Sequence, residues 1–294
     1  MAFLSGFIAI IGLPNVGKST LLNQILHRKV AIVTPKPQTT RNRVLGIYHG
    51  QGFQMVFIDT PGIHKTGTAL HRSMVESAMA TLQEVDTILL MVDPRHRHPP
   101  VPALIMNKLK AVKKRCIAAI NKIDLIKKDR LLPLIGWLQQ EGNFDAIVPI
   151  SALKADGINL LMAELKKGLQ PGPRFFPEDM VTDQSRAFLI AEIIREKIYY
   201  LTREEIPYSS AVTTDRLDYD SEKNLLYVSA RIHVETEFQK KILVGKRGRM
   251  IKSIGTAARL ELEKLFDFRV YLDLFVRVEK NWSKNTSALR RLGY

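Results

Sequence analysis

At 294 residues, with one cysteine and a net charge of +15, the chain has room for two domains and cannot form an internal disulfide. Its composition, 46% hydrophobic and 25% charged, is that of an ordinary globular protein and excludes a disordered chain or a disulfide scaffold. No apolar run reaches the roughly 20 residues that span a bilayer, and the first apolar stretch lacks the basic flank of a signal peptide. A cytoplasmic protein is therefore expected, and its positive charge suggests a polyanionic partner.

The first element is an apolar run of strand length, residues 7–11, followed by Gly12-Leu13-Pro14-Asn15-Val16-Gly17-Lys18-Ser19 and a helix-period stretch over 19–27. Strand, G-x-x-x-x-G-K-S loop and helix stand in the order that phosphate binding requires. The glycines let successive backbone N–H groups turn inward, and the helix adds its positive end. Lys18 is expected to reach the β- and γ-phosphates and Ser19 to ligate Mg²⁺; with Thr20 these residues make the phosphate-binding set. Next comes a polar loop, Pro37-Gln38-Thr39-Thr40-Arg41, in which one threonine could close over Mg²⁺. Thr40 is favoured, although spacing does not separate it from Thr39.

Strands are expected at 43–48 and 54–58, joined by turn residues 48–52 as one antiparallel edge hairpin. The second of them ends in Asp59-Thr60-Pro61-Gly62. Asp59 is placed to hold Mg²⁺ through a water and the Gly62 N–H to touch a γ-phosphate. Helices at 69–85, 101–112, 130–140 and 158–167 then alternate with strands at 87–92, 116–120 and 146–150. That grammar predicts an α/β domain, a mostly parallel sheet with helices on both faces. Cys116 falls in an expected strand, as a buried small apolar residue.

Asn121-Lys122-Ile123-Asp124 follows the strand at 116–120, at the edge where open α/β sheets bind ligands. The Asp124 carboxylate can accept from both N1–H and the 2-amino group of guanine, a pair of donors that adenine lacks. Asn121 can hold the loop to its neighbour, and the stem of Lys122 can cover the base. Ser151-Ala152-Leu153, after the last strand, could offer a backbone N–H to the guanine carbonyl. The phosphate loop alone would suit a kinase or ATPase equally; Asn121 to Asp124 argues for guanine.

Pro171-Gly172-Pro173 breaks the pattern, so the reading is a GTP-binding domain over 1–172, a linker over 173–182 and a smaller α+β domain over 183–294. In the last, a helical stretch at 185–201 precedes strands at 211–217 and 225–234, helices at 237–244 and 249–265, and a strand at 269–278. Two helices thus flank Gly245-Lys246-Arg247-Gly248, and six basic residues with no acidic one lie between Lys240 and Lys252. Glycines let a nucleic-acid backbone approach closely, with Lys246 and Arg247 facing phosphates and Arg249, Ile251 and Lys252 beside them. Ile242, Val244, Ile251 and Ile254 are expected to line a groove for splayed bases.

The nucleotide motifs resemble the translation-factor-related small GTPases, and the second domain resembles a type II KH domain. Together, and with Pro37–Arg41, Phe176-Pro177-Glu178-Asp179 and Ile193-Ile194-Arg195-Glu196-Lys197, they resemble the Era family of bacterial GTPases over essentially the whole chain. The resemblance implies GTP and GDP as ligands, and slow GTP hydrolysis with Asn15, Lys18, Thr40 and Gly62 at the reacting phosphate. Ile63 stands where Ras-like proteins place the water-orienting glutamine. In similar GTPases a residue like Asn15 helps to hold a monovalent cation, so K⁺ is an expected cofactor beside Mg²⁺. The resemblance also implies binding to the 3′ end of 16S ribosomal RNA, a role in assembling the 30S subunit and peripheral contact with the inner membrane. No DNA partner is implied. The rival reading is a non-enzymatic RNA-binding protein whose nucleotide is structural.

Overall fold

The computed structural model describes residues 2–63, 69–95 and 100–294. They separate into two compact units. One holds the described residues up to Asp183 apart from 32–39 and 69–72, and the other holds those two segments with Gln184–Tyr294.

In the first unit the elements are β1 (Leu4–Gly12), α1 (Lys18–Leu26), β2 (Val44–Gly50), β3 (Phe53–Asp59), α2 (Ala69–Glu84, of which 73–84 belong to this unit), β4 (Thr87–Val92), α3 (Ala103–Ala111), β5 (Arg115–Ile120), α4 (Leu131–Glu141), β6 (Ala146–Pro149), α5 (Ile158–Lys166) and β7 (Gln170–Pro171). The sheet runs β2-β3-β1-β4-β5-β6. Every pair is parallel except the edge hairpin β2–β3, while β7 adds a short antiparallel pairing to β1. The α/β reading holds, because strands such as β4, buried at every residue, need cover on both faces. Ala9 and Ile11 of β1 join a core with α2, α3 and α4, and the alternate residues Ile8 and Ile10 are fully buried as well. Helix α3 starts two residues later than its periodicity suggests, since Pro102 takes an extended ψ of 142°.

The segment 173–182, expected as a linker, is fixed within this unit. Buried Gln54 accepts from the Phe175 and Phe176 N–H groups (2.9 and 3.1 Å) and donates to the Phe176 carbonyl (2.8 Å). Further along, the Ile47 N–H donates to Val181 O and the Thr182 hydroxyl to Leu45 O.

The second unit contains α6 (Arg186–Leu201), β8 (Ala211–Asp220), β9 (Leu225–Val234), α7 (Glu237–Val244), α8 (Arg249–Phe266), β10 (Arg269–Val278) and α9 (Thr286–Arg291). Ser185 caps α6, its hydroxyl accepting the Phe188 N–H. Strand β9 pairs antiparallel with β8 and parallel with β10, so α7 and α8 form the crossover. One face of this sheet packs Leu226, Val228, Ala230 and Ile232 against Ile190, Ile194, Leu243, Ile254 and Leu262. Strand β8 runs on to Asp220, beyond its expected end at 217, because its polar residues stand on an open sheet face.

Sequence patterning missed the last element. After β10 the chain folds back through Trp282, which is fully buried and donates its indole N–H to Ser209 O at 3.1 Å. Asn285 then caps α9, and Ala288, Leu289 and Leu292 are buried. Trp282→Ala should cost this unit about 3–5 kcal/mol. The measurement is hydrogen exchange with denaturant titration, and the amides of α9 should lose protection first.

Candidate nucleotide site and nucleic-acid turn

Parallel strands bring their C-terminal ends to one edge, and there five loops meet: Gly12 to Lys18 after β1, Asp59 to Gly62 at β3, Asp93 after β4, Asn121 to Asp124 after β5, and Ser151 to Leu153 after β6. The phosphate loop curls through left-handed Asn15 (φ 61°) and Gly17 (φ 100°) into α1. Gly17 is required for a second reason: a Cβ there would lie 2.3 Å from Asn121 Nδ2. Through that gap Asn121 donates to Val16 O (2.7 Å), and its Oδ1 accepts the Ala152 N–H (2.9 Å). Asn121 thereby holds loop to loop.

Lys18 is buried and donates to the Gly12 and Leu13 carbonyls (3.3 and 3.1 Å). Burial pushes its amine down to about 8, with the Asp59 charge opposing. Burial also pushes the Asp59 carboxyl up to about 6, against Lys18, Ser19 and Thr40. Ser19 Oγ donates to Asp59 Oδ2 (2.6 Å) and lies 2.8 Å from Thr40 Oγ1. Asp59 Oδ1 is buried with no hydrogen-bond partner among the described residues. Three hard oxygen donors converge there, one of them an orphaned carboxylate atom, and that chemistry suits Mg²⁺. Thr39 is turned away, its hydroxyl 2.6 Å from Thr34 Oγ1 and donating to Lys36 O. The structure thus brings Thr40, and not Thr39, to this cluster.

The remaining predicted residues divide by role. Gly62 lies against Pro14, with no room for a side chain. Thr60 is buried and donates its hydroxyl to Ile10 O, which makes it a brace for the loop. Ile63 is buried, its N–H on Gly12 O. Val16 belongs to the core, whereas the side chain of Leu153 is exposed. Asp124 is exposed, and its Oδ1 accepts the Ser151 hydroxyl at 2.6 Å.

One residue escaped sequence reasoning. Asp93, 1% exposed, accepts from Lys122 Nζ (2.9 Å) and from Arg95 Nε and Nη2 (3.0 and 2.8 Å). Lys122 donates in turn to Asn15 O. Burial opposes the Asp93 charge, but the bonds from Arg95 and Lys122 prevail and hold its carboxyl well below the usual range. The available signal was an acidic residue directly after the apolar run 88–92 of β4, at the ligand edge.

In the second unit a capping box, Thr236 with Gln239, starts α7, and Gly245 ends it at φ 72° and ψ 173°. A Cβ at Gly245 would lie 2.9 Å from Met250 N, so the turn closes only with glycine. Lys246, Arg247, Arg249 and Lys252, on and beside this turn, are all exposed, and Val244 and Ile251 near them are half-buried. Ile254, expected in the groove, is fully buried in the core with Leu243 and Ala258, and Ile242 packs against that core. At helical period, one face of α8 serves the core and its neighbour serves the turn.

Residues 7–122 match the family model described as a 50S ribosome-binding GTPase, and residues 205–283 match a KH domain model. The chain is 52% identical to GTPase Era of Syntrophus aciditrophicus, covering 99% of this chain and 95% of that one. It is 46% identical to GTPase Era of Geobacter metallireducens, covering 99% and 98%. Among solved structures, a point variant of Aquifex aeolicus Era bound to GDP·AlF₄⁻ superposes with a TM-score of 0.95 at 41% identity. Era in complex with MgGDPNP and nucleotides 1506–1542 of 16S ribosomal RNA superposes at 0.94 and 42%, and each covers 99% of both chains.

Asp93→Asn should weaken GDP and GTP binding equally, by about tenfold, because Lys122 loses a charged acceptor. Fluorescent-nucleotide titration reads this. A loss confined to GTP would place Asp93 at the γ-phosphate instead.

Proposed function

This chain belongs to the GTPase Era family and is a GTPase, and from that premise we propose a GTP-driven switch that binds the 3′ end of 16S ribosomal RNA and serves assembly of the 30S subunit. The observation that carries the proposal is one chain holding both a phosphate site with a guanine-reading motif and a glycine-closed basic turn at Gly245–Gly248. An Era solved in complex with MgGDPNP and a 16S fragment superposes over 99% of both chains, which supports this reading.

In this reading Gly12 to Thr20 wrap the phosphates and Lys18 pairs with the β- and γ-oxygens. Ser19, Thr40 and Asp59 would hold Mg²⁺, which when bound neutralises charge on the phosphate oxygens. Gly62 faces the γ-phosphate, Asp124 reads the base, and Lys122 covers it. Buried Ile63 offers no amide to orient water, which supports a slow intrinsic rate. Asn15, left-handed and within the phosphate loop, is the candidate ligand for K⁺. No helix among the described residues is long and apolar enough to cross a membrane. A peripheral contact with the inner membrane rests on the net charge of +15 alone.

Lys246 and Arg247 face the RNA backbone, so Lys246→Asp with Arg247→Asp should abolish binding of a 16S 3′-end fragment. GTP affinity should stay within about twofold, since the exchange reverses charge only at the phosphate-facing turn. The wild type should weaken steeply with salt, each phosphate contact adding roughly −0.7 to the logarithmic slope. A variant that binds as tightly, with an unchanged slope, would remove the turn from the interface. Hydrolysis should also run faster in K⁺ than in Na⁺, and Asn15→Ala should erase the difference. Equal rates in both salts would take the cation out of the reading.

A further inference from the structure

Residues 32–39, the loop that leads directly into Thr40, belong to the second unit, although the sequence places them among the nucleotide motifs. Side chains of α6 hold this loop by its backbone. Glu196 Oε1 accepts the Val33 N–H at 3.0 Å, and the Tyr200 hydroxyl donates to Val33 O at 3.0 Å. The Tyr199 hydroxyl donates to Gln38 O at 3.1 Å, and Arg195 Nη2 donates to Thr39 O at 2.5 Å. Lys36 completes the set by donating to Thr202 O, just past the helix end.

Arg195 is the unusual member. Its residue is fully buried, and a buried guanidinium is costly unless its charge and donors are matched. Glu192 supplies the charge, accepting from Nε and Nη2 at 2.7 and 2.6 Å. Nη1 has no partner among the described residues. Core packing alone would be served at lower cost by an apolar side chain of this volume. What the guanidinium adds is a charge-assisted grip on the carbonyl of the residue before Thr40. With that grip made, the Thr40 hydroxyl lies 2.8 Å from Ser19, in the cluster with Asp59. The gripped carbonyl belongs to the peptide plane that joins Thr39 to Thr40, so the grip restrains the backbone from which the Thr40 hydroxyl reaches the cluster.

We propose that Arg195, oriented by Glu192, is a positioning residue for GTP hydrolysis: it holds the Thr39 carbonyl and thereby keeps Thr40 at the Ser19–Asp59 cluster. The proposal rests on Thr40 serving the γ-phosphate side of the nucleotide site, and not on RNA binding.

The test uses the full-length chain with Mg²⁺ and no RNA. Arg195→Met is made alone and together with Glu192→Gln, so that the double variant leaves no unpaired buried charge if the single one folds poorly. Arg195→Lys keeps the charge but not the fork. Expected are a fall of about tenfold in single-turnover hydrolysis and in affinity for a non-hydrolysable GTP analogue, with GDP affinity unchanged, as befits one lost charge-assisted bond. Arg195→Lys should lie between wild type and the methionine variants. A folded double variant with wild-type hydrolysis and an unchanged GTP-to-GDP affinity ratio would overturn the proposal. Equal loss of GDP and GTP binding would also overturn it, marking Arg195 as a general structural residue. Should Thr40→Ala itself spare hydrolysis and GTP preference, the underlying reading of Thr40 fails instead.

Discussion

The candidate nucleotide site depends on a single carboxamide. Asn121 stands at the end of β5 and reaches across the gap left by Gly17 to the Val16 carbonyl, while its oxygen takes the Ala152 amide. Three loops from three strands are thereby locked by one buried side chain. Each loop alone would be a turn at a strand end, with polar backbone groups free to choose other partners. Tied together, they place Lys18, Asp124 and the 151–153 backbone in one frame. A preorganised frame matters because the phosphates and the base of one nucleotide must be met at once.

Around that frame, buried charge is used sparingly and with a positional task. Asp93 fixes Lys122 and, through it, the carbonyl of Asn15, which links the 121–124 loop to the phosphate loop. Asp59 and Lys18 are each pushed toward neutrality by burial, and each opposes that push in the other by its charge. Arg195 follows the same logic in the other unit, with Glu192 as counter-charge and a loop carbonyl as target. None of these groups is a core residue that merely tolerates its charge. Each holds a neighbour at the loops where the motifs lie.

The second unit divides the work differently. Its core is apolar and conventional, built from alternate residues of β8 to β10 against α6 and α8. Its candidate interface is mostly backbone and charge, a glycine-closed turn flanked by lysines and arginines. Placing such a surface on a turn held between two helices gives exposed basic side chains a mount fixed at both ends.

Sequence alone determined the α/β layering, the phosphate loop, the Asn121–Asp124 motif and the G-x-x-G turn, because each depends on local spacing along one strand, turn or helix. Apolar periodicity also placed the main elements up to β10 to within a few residues, with the polar continuation of β8 left out. The rest was decided only by tertiary structure. Thr40 was separated from Thr39 when neighbouring hydroxyls turned to opposite partners, Ser19 on one side and Thr34 on the other. Ile254 went to the core, because which face of α8 is buried depends on where the sheet lies. The tail after β10 is buried at Trp282, Ala288, Leu289 and Leu292, too few apolar residues to show a period. Asp93 and Arg195 gained their roles from partners far along the chain, and no local pattern encodes a bond between residues 39 and 195. Spacing records what a segment can form by itself, whereas the burial of a charge and the choice of its partner exist only once distant segments meet.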